Sequence, residues 1–296
     1  MFTMNFQYKT CLSLILCGLF LLGACEKKEE PPAVTPSAVP GPSVRIGVVP
    51  ALTVTDTIRQ YQPVVDYLNR KLNIHAQLMP QKDYVAVLEK LRRDELDAGI
   101  LGSLLCYRAI KEIGALPLAR PESRGDSTYE GLVFARKDSG INDIYGLKGK
   151  VFAYVDQNTS AGYVYPRALL KDKRLDPDRF FKETIFAGKH DAAVLMVLNK
   201  KADGGAAKDD VYFKLAKENP RIARELKVLH LSNAGFPDRT IAVRKSFDAA
   251  LAQRIRSTLL DMEKEEAGRS ALKAAGFDRY IPTGMEDFRQ LENMLR

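Results

Sequence analysis

VFAYVDQNTSAGYVYPRALL, residues 151–170, carries the pattern that decides the fold. The first five residues are apolar, and Val, Phe and Tyr favour a pleated, buried strand. A polar turn follows, and a helix begins at about Ser160. A strand that runs straight into a helix is half of a strand–helix–strand unit, and repetition of that unit builds a sheet covered by helices. The turn also bears on function. Helix amino ends present N–H groups without intrahelical partners and a partial positive charge. Thr159 and Ser160 add hydroxyl donors, and small Ala161 and Gly162 let a ligand approach the backbone. Together these suit a phosphate-like anion. The same residue types cap helices that bind nothing, and this segment alone does not separate the two readings.

Outward from this stretch the alternation continues. Residues 44–49 (VRIGVV) read as a strand ended by Pro50. Tyr61, Val65, Leu68 and Leu72 then line one face of a helix. Strands are expected at residues 76–79, 97–101, 131–135, 184–186, 226–231 and 240–243. Helices are expected at 82–93, 104–113 (capped by Ser103) and 191–198, and the chain is expected to be mostly helical from Ser246 to its end. The class is therefore α/β, with mostly parallel sheets flanked by helices and ligands gathering at the carboxyl ends of the strands. In FAGKHDAAVLMVLNKKAD, residues 186–203, His190 falls at another helix start, where imidazole can donate to an oxyanion. A lone histidine can equally be structural. His75 and His230 lie in strand-like runs and receive no role.

The amino-terminal part reads as an address. Lys9, an apolar run over residues 11–22 and the closing LGAC form a secretory signal over residues 1–24. The apolar run falls well short of the ~20 residues a spanning helix needs. LGAC reads as a bacterial lipobox, which makes Cys25 the lipidated first residue of the mature chain; the alternative is an ordinary signal with a free thiol at Cys25. Residues 25–43 contain EKKEEPPAVTPSAVPGPS, a Pro-rich tether without apolar periodicity that in extended form could reach about 55 Å. The protein is thus expected in the periplasm or at the cell surface, held to a membrane through lipid on Cys25. Cys11 and Cys17 belong to the signal, so Cys106 is the one remaining cysteine, and its apolar neighbours predict a buried thiol.

A net charge of +8 is spread among intermixed acids and bases, which argues against a nucleic-acid groove and is compatible with attracting anions. The chain contains no GxxxxGK[ST] loop, GxSxG elbow or HExxH pair, and no His/Cys/Asp cluster has metal-ligand spacing. The expectation is a binding protein without catalytic residues, cofactor or metal.

Three stretches together resemble one family. PQKDYVAVLEKLRRDELDAGILGSLLCYR (residues 80–108), the run Asn158, Thr159, Ser160, Ala161, Gly162, and residues 188–203 with His190 are similar, in this order, to the phosphate/phosphite/phosphonate-binding proteins of ABC transporters, the PhnD-like branch of the type 2 periplasmic binding proteins. The resemblance extends loosely from Val44 to about Lys245. It implies a two-lobed clamshell, with lobe 1 from residues 44–130 plus 235–296 and lobe 2 from residues 131–234. Residues 131–135 and 240–243 would be the strands that cross between lobes. It further implies capture of a small oxyanion (phosphonate, phosphite or phosphate) by a monomer that delivers it to an ABC permease in the inner membrane. Thr159 and Ser160 would donate hydroxyls, the backbone at Ala161 and Gly162 would help, and His190 would add a hydrogen bond. Tyr84, Tyr129 and Ser103 would face the site, and Asp210 falls where relatives that take an amino-phosphonate place an acid. Ala161 replaces a hydroxyl common in the family, Lys189 is an extra residue before His190, and the run Gly204, Gly205, Ala206, Ala207 is bare where polar side chains could line a pocket. A ligand-sensing receptor for a signalling partner, or an enzyme on the same fold, are the competing readings.

Overall fold

Apolar residues at three- and four-residue spacing meet alternating strand residues in two separate sheets. The computed structural model describes residues 41–49, 54–233 and 235–296. The expected signal, Cys25 and the tether through Pro40 lie outside the described residues. The chain begins β1 (Ser43–Val48), α1 (Val54–Leu72), β2 (His75–Pro80), α2 (Tyr84–Arg92), β3 (Ala98–Leu101), α3 (Ser103–Ile113), β4 (Leu116–Glu122) and β5 (Thr128–Tyr129). It continues β6 (Gly131–Arg136), β7 (Val151–Tyr154), a wide turn at Ser160–Val164, α4 (Tyr165–Asp172), β8 (Glu183–Phe186), α5 (His190–Leu198), β9 (Gly204–Lys208), α6 (Asp209–Glu218), α7 (Pro220–Glu225) and β10 (Leu226–Leu231). It ends β11 (Phe236–Pro237), β12 (Thr240–Val243), α8 (Ala249–Leu260), α9 (Glu266–Ala275), β13 (Arg279–Pro282) and α10 (Arg289–Leu295).

The first sheet has the order β13-β4-β12-β3-β1-β2 and the second β10-β6-β9-β7-β8. Each is buried on both faces. In the first, Ile241 and Val243 of β12 point into a cluster with Tyr61, Leu68 and Leu72 of α1, Leu259 of α8 and Leu272 of α9. Ala242 points the opposite way, toward Leu88, Leu91 and Leu105 of α2 and α3. This is the two-residue period of a strand read directly in packing. In the second sheet Val133 and Ala135 face Tyr154, Tyr165 and Leu169, while Leu132 and Phe134 face Val194, Val197 and Tyr212. Leu291 of the carboxy-terminal α10 joins the cluster of the second sheet.

The sheets are mixed, not mostly parallel as the sequence predicts. β1 pairs in parallel with β2 and β3, but β12 runs antiparallel to both β3 and β4, and β13 runs antiparallel to β4. Likewise β7 is parallel to β8 and β9, whereas β6 is antiparallel to β9 and β10. The physical reason lies in β12 and β6. Each enters its sheet from the other sheet and not from a helix packed on its own, so no helical crossover obliges it to run parallel. The passage between sheets is made by the short antiparallel ladder of β5 and β11, with Tyr129 opposite Phe236 and Thr128 opposite Pro237. Residues 131–135 and 240–243, expected to cross between lobes, instead sit one in each sheet immediately beyond that ladder.

Five strands escape the sequence reading: β4, whose Pro117 and Pro121 disguise it, the two-residue β5 and β11, β13 near the end, and β9. The last explains the bare run Gly204 to Ala207. It is the central strand of the second sheet, not a stripped pocket wall. A Cβ on Gly205 would lie 3.1 Å from both the Ala153 carbonyl and Phe134 Cζ. Tight packing overrides low strand propensity here. Gly205→Val should therefore lower stability by about 1–3 kcal/mol through overpacking. Urea unfolding measures this, and an unchanged midpoint would show that β9 has room to spare.

Candidate ligand-binding cleft

Strands β3, β7, β8 and β9 each end where a helix or helical turn begins, and those amino ends converge on a cavity of about 380 Å³ between the sheets. Ser103 opens α3, Ser160 opens the turn before α4, His190 opens α5, Asp210 lies in the first turn of α6, and Tyr84 opens α2; all line the cavity. Ligands collect at the carboxyl ends of strands for this reason: the following helix starts bring unpaired N–H groups there.

The Asp156–Thr159 loop is wired internally. Asn158 N donates to Asp156 Oδ1 at 2.8 Å, and Thr159 N and Oγ1 both reach the Asp156 carbonyl, at 3.1 and 2.6 Å. Arg108 of α3 donates to Asn158 Oδ1 from the opposite sheet's helix layer. The Thr159 hydroxyl proton is thus engaged by the loop, and toward the cavity Thr159 presents no spare donor hydrogen from its side chain. Ser160 differs. Its Oγ is buried, faces the Tyr129 hydroxyl, and makes no well-formed hydrogen bond within the protein. The backbone widens here: Val164 N donates to the Thr159 carbonyl five residues back, at 3.2 Å. Such wide turns leave the first N–H groups, at Ser160 to Gly162, without intrahelical acceptors. Gly162 is required for the fit, since a Cβ there would lie 2.5 Å from Val155. Ala161 does not line the cavity; its side chain is fully buried in the cluster with Val133 and Tyr165. A hydroxyl at position 161 would enter that cluster.

His190 is held as a neutral donor. Lys208 N donates to His190 Nδ1 at 3.1 Å, which leaves the ring proton on Nε2. Burial, reinforced by the nearby Lys208 ammonium, pushes the imidazole pKa down to about 3. Lys208 itself is buried at the end of β9. Burial works against its charge, but Asp238 outweighs it and raises the pKa. Lys208 Nζ donates to Asp238 Oδ1 and lies 3.8 Å from the centroid of the Tyr129 ring. Asp238 is held below its ordinary range: burial opposes ionisation, and Arg239 and Lys208 overcome it.

The remaining predicted residues fall in three settings. The Tyr84 hydroxyl is buried, has no hydrogen-bond partner in the protein, and stays protonated because burial raises its pKa far above the usual phenol value. Tyr129 packs against Phe236 with the rings tilted and 5.5 Å apart, and Ser103 Oγ lies 3.1 Å from its hydroxyl while donating to the Pro237 carbonyl. Ser103 thereby ties α3 to the crossing ladder. Asp210 sits at the rim and accepts from Arg239 Nη2 at 2.7 Å. Sequence reasoning missed Lys208, Asp238, Arg239, Gln60 and Tyr61, all of which line the cavity. Lys208 had one usable signal, since it directly precedes the acidic pair Asp209 and Asp210. Asp238 and Arg239 follow a two-residue strand and had none. Cys106 is buried and reduced, with its pKa pushed up to about 12 by burial. Among the described residues no group of His, Cys, Asp or Glu is placed to hold a metal, and no helix is long and apolar enough to cross a membrane.

The lowered His190 pKa sets a sign for acid stability. Between pH ~6.5, the unfolded value, and about 3, the unfolded chain takes up a proton that the folded chain refuses. Stability from this group is complete above that window and is lost as pH falls through it. Thermal melts from pH 7 to 4 should show a shallower acid loss for His190→Gln than for the natural chain. Parallel curves would mean that His190 titrates normally.

The family described as "ABC transporter, phosphonate, periplasmic substrate-binding protein" matches residues 46–288. The phosphate-import protein PhnD of Mycolicibacterium smegmatis is 24% identical over 208 residues, 67% of this chain and 64% of that protein, so the match leaves about a third of that relative uncovered. The phosphonates-binding periplasmic protein of Escherichia coli is 23% identical over 240 residues, 79% of this chain and 70% of its own length. The structure of PhnD1 from Prochlorococcus marinus in complex with methylphosphonate superposes with a TM-score of 0.75 at 19% identity, covering 85% of this chain and 96% of that one. The neighbours show the two-lobed type 2 periplasmic-binding-protein fold, and the extent of the family match makes this chain a member of the phosphonate substrate-binding family of ABC transporters.

Proposed function

We propose that the chain is the solute-binding component of an ABC importer and captures a phosphorus oxyanion (phosphonate, phosphite or phosphate) in the cavity between its sheets. One observation carries the reading. Ser160 Oγ makes no well-formed hydrogen bond within the protein, the Tyr84 hydroxyl has no partner there, and both buried residues line the same cavity. Leaving such a group unsatisfied costs about 1–3 kcal/mol. A tetrahedral oxyanion, which presents several acceptor oxygens, relieves both. The His190 Nε2 proton and the N–H groups at Ser160 to Gly162 complete a set of donors held mainly by neutral groups. The names of the relatives support the same class of solute.

The lobes we assign are residues 44–130 with 235–296, and residues 131–234, hinged at the β5–β11 ladder. The oxyanion docks on the helix starts, bridges both lobes and favours closure by its preference for the closed form. The closed form then engages the permease. Capture involves no bond breaking and needs no cofactor. We assign the protein to the periplasmic or cell-surface side as a monomer, anchored by lipid on Cys25.

Ser160→Ala should weaken binding of the preferred oxyanion by about 1.5–3 kcal/mol, read by calorimetry. The unliganded variant should melt no lower than the natural chain, because it loses a buried unsatisfied group. Weaker binding accompanied by a large drop in melting temperature would assign Ser160 to the fold and not to the ligand. For the natural protein, a ligand at 100 times its Kd should add ~2.7 kcal/mol of stability. Silence toward phosphate, phosphite and methylphosphonate alike would sink the oxyanion reading. Cys25→Ser should move the protein from the membrane pellet to the soluble fraction; continued sedimentation would exclude lipid on Cys25 as the anchor.

A further inference from the structure

Each carboxylate that lines the cavity is already matched by a cation of the same lining. Asp56 Oδ1 accepts from Arg59 at 3.2 Å. Asp238 accepts from Lys208 through Oδ1 and lies 2.9 Å from Arg239 Nε through Oδ2. Asp210 Oδ2 accepts from Arg239 Nη2 at 2.7 Å. Two further lining cations, Lys214 and Lys273, remain. Lys214 lies 3.8 Å from Glu218 outside the lining, and Lys273 forms no ion pair among the described residues. The lining therefore offers surplus positive charge and no carboxylate without a cation.

Arg239 is central to this balance. It follows β11 in a left-handed backbone conformation, with φ 51°. Its guanidinium lies over the Phe277 ring, 6.0 Å from the centroid, and reaches from the crossing segment to the first turn of α6. We propose that Arg239 is a specificity-determining residue that excludes solutes bearing an ammonium group: by spanning Asp210 and Asp238 it occupies the two carboxylates such a group would need, and it leaves the pocket to phosphorus oxyanions whose substituent is uncharged or anionic. This rests on the oxyanion reading of the cavity given above.

Two obstacles face an ammonium group. An ammonium group taken out of water must find a carboxylate or bear an uncompensated desolvation cost. Here it would have to displace the Arg239 guanidinium to reach Asp210, or both Arg239 and Lys208 to gain Asp238 for itself. It would also enter a lining that carries Lys214 and Lys273 beyond the matched carboxylates, whose repulsion acts before any contact forms. Discrimination by a repulsive element is a recognised route to specificity. A carboxylate or a methyl on the same phosphonate meets neither obstacle, and the cavity of about 380 Å³ has room beyond the head group.

The test is calorimetric titration of the whole protein with methylphosphonate, phosphonoacetate and 2-aminoethylphosphonate. The natural protein should bind the aminoethyl compound at least tenfold more weakly than methylphosphonate, and phosphonoacetate no more weakly than methylphosphonate. In Arg239→Ala, the aminoethyl compound should gain at least tenfold relative to methylphosphonate, because Asp210 is released. Arg239→Lys, which keeps a cation beside both carboxylates, should preserve the natural order. Equal binding of methyl and aminoethyl compounds by the natural protein overturns the proposal, and so does an unchanged order, or an equal loss for all three compounds, in Arg239→Ala. If Arg239→Ala does not fold, the ligand order of the natural protein and of Arg239→Lys decides. A folded natural protein that binds none of the three, nor phosphate or phosphite, instead overturns the oxyanion reading itself.

Discussion

An ammonium group buried at the end of β9 has to be neutralised where it stands, and the pairing of Lys208 with Asp238 organises the whole cleft. The two residues come from different places: the central strand of the second sheet, and the segment that has just crossed from it. A buried ion pair of this kind is weak evidence for net stability, since desolvation offsets much of its attraction, but removing one partner costs about 3–5 kcal/mol. Its consequence here is geometric. With the side chain held by Asp238 and laid on the Tyr129 ring, the Lys208 backbone N–H is aimed at His190 Nδ1. The imidazole is thereby fixed in orientation and tautomer. Tyr129 in turn packs on Phe236 in the crossing ladder and meets Ser103 at the start of α3. A change at Lys208 would propagate to both sheets.

The same network shapes the electrostatics. Lys208 and Arg239 face Asp238 and Asp210, so the inner wall is close to charge balance despite its buried cations. Recognition then falls to oriented dipoles: a neutral imidazole, two buried hydroxyls and N–H groups at helix starts. Donors of this kind require no counter-charge when the cleft is empty. They also favour a partner rich in acceptor oxygens, which matches an oxyanion better than a ligand made mostly of donors. Surplus charge remains toward the mouth, where Lys214 and Lys273 stand in better contact with water and would attract an anion at longer range.

Legibility of the site followed local chemistry. Thr159, Ser160 and His190 could be singled out because hydroxyls and imidazole at a strand-to-helix junction suit an oxyanion, although they cap helices elsewhere too, while Tyr84 entered only through the family resemblance and Ser103 was legible as a helix cap. The structure brings all of them to one cavity but distinguishes them in a way spacing does not. Thr159 spends its proton on the Asp156 carbonyl, while Ser160, one residue on, has none of the loop's acceptors within reach. Ala161 turns into the core because the wide turn rotates it away from the cavity. Arg239 and Asp238 gave no warning, because their meaning depends on which surfaces the crossing ladder brings together.

By itself the sequence determined the α/β alternation, the apolar faces of the helices, the hydroxyl-rich helix starts and the family. These are local properties, set by side-chain period and by the few residues able to cap a helix. Tertiary structure alone decided the direction of β6, β12 and β13, the burial of the Gly204–Lys208 strand as a sheet centre, and the pairing of Lys208 and Arg239 with Asp238 and Asp210. Strand direction depends on where a chain re-enters a sheet, and charge pairing depends on distances between residues tens of positions apart. Neither quantity is written in any window of local sequence, because both arise only when the two sheets are placed against each other.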